Sequence, residues 1–288
     1  MYFFEQILNG FALGSIYALI AIGFSMVYGL LKLLNFAHSE LITIGAYTGY
    51  ILTGLFPDVQ EINIYFLPAL IFFSSLISGV SAVLLYFIGY KHIYRKSKIA
   101  VLITAIGFSV IIQNSLKLIF GAKSISYLPL EHSININLVT LIILVVSFIL
   151  IVFFLKRTMI GISIRAVADD EETASLMGID TLKTIIFVFF MGGALAGVVG
   201  VIMGIRDGYI NPFMGFTPGL KAFSISVVGG IGNLKGAVIV GLFLGLFEVL
   251  VQSYLPGEIS QLRDVFVFCL LLVILVFKPS GLFGKKII

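Results

Sequence analysis

A chain of 288 residues in which 60% are hydrophobic and only 11% charged departs from a soluble domain, where about 25% of residues carry charge. Water is therefore not its main solvent. The net charge of +4 would suit an acidic partner, but the basic residues sit at the ends of apolar stretches, where they set orientation in a membrane, so no nucleic-acid partner is expected.

Met1 to Gln6 has no basic stretch, and the apolar run that follows is too long for a cleaved leader, so it reads as a retained first span. A bilayer core of about 30 Å needs roughly 20 apolar residues per helix. Stretches of that kind run over 7–31, 36–56, 64–90, 99–119, 138–155, 184–205, 236–255 and 264–277. A shorter Gly-rich stretch over 219–231 reaches only about 20 Å as a helix, too short to cross unless it is broken or buried in protein. The expectation is an all-α polytopic membrane protein, a bundle of about 8–9 transmembrane helices forming a single permease-like domain over 1–288.

Sorting the 18 Lys and Arg by connecting segment separates two sides. One holds Lys32, Lys91, Arg95, Lys96, Lys98, Lys156, Arg157, Arg165, Lys183, Lys235, Lys278, Lys285 and Lys286. The other holds Lys117, Lys123, Arg206, Lys221 and Arg263. The bias of 13 to 5 puts the first set in the cytoplasm. With nine crossings the N-terminus is then external and the C-terminus cytoplasmic. The longest cytoplasmic piece, Lys156 to Lys183, interleaves apolar residues with Asp169, Asp170, Glu171 and Glu172, as one or two amphipathic helices lying across the bundle would.

Gly10 with Gly14, Gly45 with Gly49, Gly193 with Gly197, Gly200 with Gly204, and Gly241 with Gly245 have the spacing that lets helix backbones approach in lipid. Polar residues at lipid depth are costly and invite a functional reading. Asn35, His38, Ser39 and Glu40 cluster between the first two stretches, either near a solute path or as a solvated helix start in which Glu40 favours the helix dipole. Glu248, with Gln252 one turn on, lies inside the 236–255 stretch; its carboxyl either faces a cavity or joins two helices. Gln113 and Asn114 carry the same two readings, as do Glu5, Gln6 and Asn9 near the start.

Catalytic patterns are absent. His38, His92 and His132 are scattered, and the chain has no HExxH, CxxC or GxSxG. Neither catalytic residues, metal ligands nor a cofactor site are expected, and the one cysteine, Cys269, excludes a disulfide framework. There is no GxxxxGK[ST] either, so ATP energy would have to enter from another polypeptide. Glu172-Thr173-Ala174-Ser175-Leu176-Met177-Gly178 has the form E-x-A-x-x-x-G, close to the EAA loop by which ABC importer permeases dock on their ATPase. A plain interfacial helix would carry the same residues. Read as a docking segment, it assigns coupling to Glu171, Glu172, Ala174 and Gly178.

Three blocks in order resemble the permeases of Liv-type, high-affinity branched-chain amino acid ABC transporters. The first runs through Leu8-Asn9-Gly10, Leu13-Gly14-Ser15-Ile16-Tyr17, Asn35-Phe36-Ala37-His38 with Glu40, and Ile44-Gly45-Ala46-Tyr47. The second is Gly161, Arg165-Ala166 and Ala174-Ser175-Leu176-Met177-Gly178-Ile179; the third is Gly219-Leu220-Lys221-Ala222-Phe223 and Gly229-Gly230-Ile231-Gly232. Ser39 departs from the pattern, which has glycine there; a serine is poorly suited to positive φ. The resemblance implies an inner-membrane subunit that pairs with a second, similar permease, two cytoplasmic ABC ATPases and an external substrate-binding protein. It implies translocation of leucine, isoleucine and valine by alternating access, with Asn35, His38, Glu40 and Glu248 beside the path. Urea or short-amide permeases share the NFAH-like string, and an ATP-independent carrier and a membrane-embedded enzyme or assembly factor are the other classes the residues allow.

Overall fold

The computed structural model describes residues 2–56, 59–94, 97–132, 134–255, 262–278 and 281–283. Of the basic residues sorted above, Arg95, Lys96, Lys285 and Lys286 lie outside the described residues, as does the side chain of Lys98. Among the described residues, nine helices fall on the nine apolar stretches: α1 (Tyr2–Leu31), α2 (His38–Gly54), α3 (Phe66–Leu85, continued by a π turn over Tyr86–Tyr90), α4 (Lys98–Phe120), α5 (Ile136–Arg157), α8 (Thr181–Asp207), α9 (Phe216–Gly229), α10 (Leu234–Tyr254) and α11 (Arg263–Phe277). Two short helices, α6 (Met159–Asp169) and α7 (Glu171–Leu176), occupy the segment expected to be amphipathic. Among the described residues, six helices are long and apolar enough to cross a membrane: α1, α3, α4, α5, α8 and α10. α2, α9 and α11 are shorter, at 17, 14 and 15 residues.

α1 is the axis of the bundle. Its most hydrophobic window is 89% buried, whereas the corresponding windows of α4 and α5 are each only 17% buried. Those two helices present Ile103, Val110, Ile111, Ile142, Val145 and Ile149 outward, as a lipid-facing rim does. The α1–α10 crossing is made by the paired glycines. A Cβ on Gly245 would stand 2.1 Å from the Gly14 nitrogen, and one on Gly14 would stand 2.7 Å from the Leu242 Cα. Without a hydrophobic force between helices in lipid, such backbone approach is what holds them together. α8 uses the same device against α2 and α3, where a Cβ on Gly197 would meet the Ser74 carbonyl at 2.4 Å.

Breakers explain the half-length α9. Pro212 and Pro218 stand before it and in its first turn, where proline is tolerated but cannot extend a helix backwards. At its other end Gly230 (φ 93°) and Gly232 (φ 80°) reverse the chain into α10, and Asn233 caps α10 by accepting from the Lys235 and Gly236 N–H groups. The connection before α9 is tied down by a two-residue antiparallel pairing of β1 (Ile125–Ser126) with β2 (Tyr209–Ile210). Lys221 is not in a connecting segment, as the charge sorting had it; it lies inside α9 and is 2% exposed. Ser39 adopts helical φ, because Lys32 (φ 53°) is the one non-glycine with positive φ among the described residues. Its extra volume is admitted by Gly219, on which a Cβ would stand 2.2 Å from the Ser39 Cβ.

Candidate functional site

α2 begins at a buried polar corner. Asn35, His38, Ser39 and Glu40 are each at most 6% exposed. The π turn at the end of α3 presents Tyr90, whose hydroxyl donates to Asn35 Oδ1 at 2.6 Å. Glu40 Oε1 accepts from the Ser109 hydroxyl (2.8 Å) and Gln113 Nε2 (2.7 Å) on α4, and from the Ser39 hydroxyl (3.3 Å). Its Oε2 is buried without a hydrogen-bond partner among the described residues, and so is His38 Nε2. The imidazole meets the Phe24 ring edge-on at 6.1 Å. Glu40 therefore bonds to α4 instead of lying solvated at a helix start.

This corner borders a cavity of about 290 Å³ between α2, α4 and α9. Phe24, Phe36, Leu220 and Phe223 give it an apolar wall, and Asn35, His38, Ser39, Ser109 and Gln113 supply a few polar groups. An apolar hollow with few convergent polar atoms is the usual form of a small-molecule site.

A second cavity, of about 330 Å³, lies on the other side of α9 and is polar. Here Lys221 Nζ donates to both carboxylate oxygens of Glu248, each at 2.8 Å, and to the Tyr17 hydroxyl at 3.0 Å. It also ion-pairs with Asp264 at 2.7 Å. Tyr17 in turn donates to Glu248 Oε2 at 2.9 Å. α1, α9, α10 and α11 are thus pinned at one point. Burying a charge is tolerable only when it is paired and hydrogen-bonded, and Lys221 and Glu248 answer each other.

At the other end of the bundle, Thr158 caps α6 through Gly161 N and Asp170 caps α7 through Thr173 N. The Thr173 N–H holds the Asp170 carboxyl below its ordinary range, so this cap is intact at neutral pH and is lost as the pH falls through the lowered value. α7 ends in a Schellman turn: Ile179 N donates to Ala174 O at 3.1 Å, Gly178 N donates to Ser175 O at 3.0 Å, and Gly178 takes φ 85°. The Ala and Gly of the E-x-A-x-x-x-G string are thus the two ends of one turn. Leu176 and Met177 between them are 87% and 80% exposed.

Residues 6–275 match the family described as "Branched-chain amino acid transport system / permease component". The chain belongs to this family. It is 35% identical to the high-affinity branched-chain amino acid transport system permease protein LivH of Salmonella typhimurium, over 99% of this chain and 96% of that protein. It is also 35% identical to BraD of Pseudomonas aeruginosa, named in the same words, over 99% and 96%. A solved structure titled "PsaBC from Streptococcus pneumoniae in complex with Fab" shares the fold, with a TM-score of 0.53, 15% identity and coverage of 96% of this chain and 92% of that one.

In this permease the four residues singled out at lipid depth divide between two sites. Asn35 and His38 line the apolar cavity and Glu40 stands behind its wall, bonded to three lining side chains, while Glu248 lines the polar one. Sequence reasoning missed Lys221, Tyr17 and Asp264 as partners of Glu248. A lysine within a short Gly-rich apolar stretch was the available signal, since an isolated charge at such a place needs a carboxylate nearby. It also missed Ser109, whose hydroxyl and Gln113 together hold Glu40. Glu171 and Glu172 are the first two residues of α7, where Tyr94 donates to Glu171 Oε1 at 3.0 Å.

Proposed function

We propose that this permease translocates branched-chain amino acids, leucine, isoleucine and valine, as one membrane subunit of an ATP-driven importer. The observation that carries the reading is near-full-length identity to LivH and BraD; the aromatic and aliphatic wall of the cavity between α2, α4 and α9 supports it, because a branched aliphatic side chain gains from leaving water for such a wall. In this reading the chain is a single permease domain in a bacterial-type inner membrane, with the α6–α7 segment and the C-terminus in the cytoplasm. It pairs with a second permease, two ABC ATPases dock on α7 around Glu171, Glu172, Ala174 and Gly178, and an external binding protein delivers solute. Asn35, His38 and Glu40 border the path, and Glu248 braces the helices that move around it.

Two structural features support the ATPase contact. The apolar pair Leu176 and Met177 projects from a turn that is rigidly capped at both ends, and an apolar knob on a fixed helix end is suited to a partner groove. The test is reconstitution of the permease with its partner subunits in liposomes, with labelled leucine, isoleucine, valine, urea and acetamide offered outside. ATP-dependent accumulation of the three amino acids and not of urea or acetamide is expected. Accumulation of urea or acetamide alone, or uptake without ATP, overturns the reading.

A further inference from the structure

We propose that the polar cavity between α1, α8, α9, α10 and α11 is a subsite for the charged head of a zwitterionic amino acid, with Arg206 taking the carboxylate. This deepens the reading above and rests on it for the class of solute. Six formally charged side chains line the cavity: Arg206, Lys221 and Arg263 against Asp207, Glu248 and Asp264. Their formal charges cancel. A solute of net charge would meet an uncompensated opponent there, whereas a molecule with one positive and one negative group keeps the balance.

The six are not equally engaged. Lys221 is taken up by Glu248, Tyr17 and Asp264, and Arg263 donates to Gln252 at 2.8 Å and lies 3.6 Å from Glu248. Arg206, by contrast, makes no hydrogen bond or ion pair among the described residues; it feels only the longer-range field of its neighbours, Asp207 first among the charges. It is half-buried at the C-terminal end of α8 and faces both this cavity and an adjoining polar one lined by Gln6, Asn9, Asn137 and Gln252. A guanidinium held partly out of water with its donors unspent is costly unless a ligand completes it. Its planar fork matches a carboxylate through two parallel hydrogen bonds.

The remainder of the lining fits the remainder of such a molecule. Asp207, which is exposed, offers a carboxylate to an ammonium group, and Leu13, Ile16, Met203 and Met214 in the lining offer apolar surface to an aliphatic side chain. An uncharged amide of the same shape would leave Arg206 unpaired. A site that is built around a charged group discriminates against its absence more sharply than an apolar pocket discriminates between sizes.

The experiment uses the complete transporter in liposomes. Arg206→Gln is expected to raise KM for leucine about 10- to 100-fold, the worth of one charge-assisted hydrogen-bonded contact, with a smaller change in maximal rate, and Arg206→Lys to recover part of it. An unchanged KM in Arg206→Gln overturns the subsite. A second measurement leaves Arg206 in place: in a Cys269→Ala background, Tyr209→Cys puts a thiol at the cavity wall, and external leucine should slow its alkylation while leucinamide should not. Equal protection by both, or by neither, also overturns it. Should the wild-type transporter import a different zwitterionic amino acid and Arg206→Gln raise its KM, the branched-chain reading fails and the subsite stands. Import of a solute with no zwitterionic head fails both.

Discussion

Lys221 on α9 and Glu248 on α10 meet through two hydrogen bonds of 2.8 Å each, with side chains 3% and 2% exposed. A pair buried to this degree contributes little net stability against an apolar replacement, yet breaking it strands a charge at a cost of about 3–5 kcal/mol. Lys221→Met should therefore sharply lower both membrane abundance and the unfolding temperature of the purified complex. The double variant Lys221→Met with Glu248→Leu should regain most of the loss in both. Equal damage in the single and double variants would show that the lysine acts other than by neutralising Glu248.

His38 is the sharpest test of a solute path along the apolar cavity. The residue packs on Phe24 and lines the apolar cavity, and its Nε2 has no partner among the described residues. His38→Phe keeps an aromatic ring on Phe24 and removes the nitrogen. Leucine uptake should fall about tenfold, the order expected for one lost hydrogen bond to a charged or polar solute, with membrane abundance near that of wild type. Unaltered uptake would make His38 a packing residue.

Much of the bundle is legible in the sequence for a physical reason: in lipid every backbone group must be satisfied within the helix, so apolar length alone marks a helix. That logic locates α1, α3 and α8 directly. It also marks 219–231 as too short to cross, and the structure answers with the 14-residue α9 set between prolines and glycines. The pairing of glycines is legible as spacing but not as partnership; nothing in Gly10-x-x-x-Gly14 says that its counterpart is Gly241-x-x-x-Gly245. The partners of Glu248 were illegible for the same reason. Tyr17 lies 231 residues away in sequence and Lys221 lies 27 away, distances across which no local period carries information.

At the α1–α10 crossing, Gly245→Val should be far more harmful than Gly107→Val. A Cβ at Gly245 would meet Gly14 backbone at 2.1 Å, whereas one at Gly107, inside α4, would meet nothing within 4 Å. Overpacking a filled core costs about 1–3 kcal/mol, and rigid backbone on the opposing side gives Gly245 no relief. Detergent-solubilised yield of the two variants compares them; similar yields would mean that the crossing shifts to accept the side chain.

The orientation inferred from basic residues is open to labelling. Lys32 and Arg165 share one cavity at one end of the bundle, with Ile231 and Leu234 at the α9–α10 reversal, while Arg206 and Arg263 share another. In a Cys269→Ala background, a cysteine replacing Glu171 should resist an impermeant reagent in intact cells, and one replacing Tyr209 should react. The reverse pattern would invert the topology.

Coupling to the ATPase is tested most directly at Gly178, because the structure separates two reasons for a glycine there. The first is conformational: at φ 85° the residue closes the α7 turn, a position where a side chain other than Gly or Asn costs about 1–2 kcal/mol. The second is access. A Cβ would meet nothing within 4 Å among the described residues, so a penalty for added volume beyond the backbone strain points to a contact with another polypeptide. Gly178→Asn tolerates the backbone and adds modest volume, Gly178→Ala strains the backbone and adds almost none, and Gly178→Trp does both. If the turn alone matters, Asn should support uptake and co-purify the ATPase as wild type does, and Ala should be impaired. A groove that closes on the turn reverses that order, with Asn worse than Ala. Under either, Trp should insert at normal abundance yet lose leucine-stimulated ATP hydrolysis and retain less ATPase on purification. Wild-type coupling in the Trp variant would remove α7 from the contact.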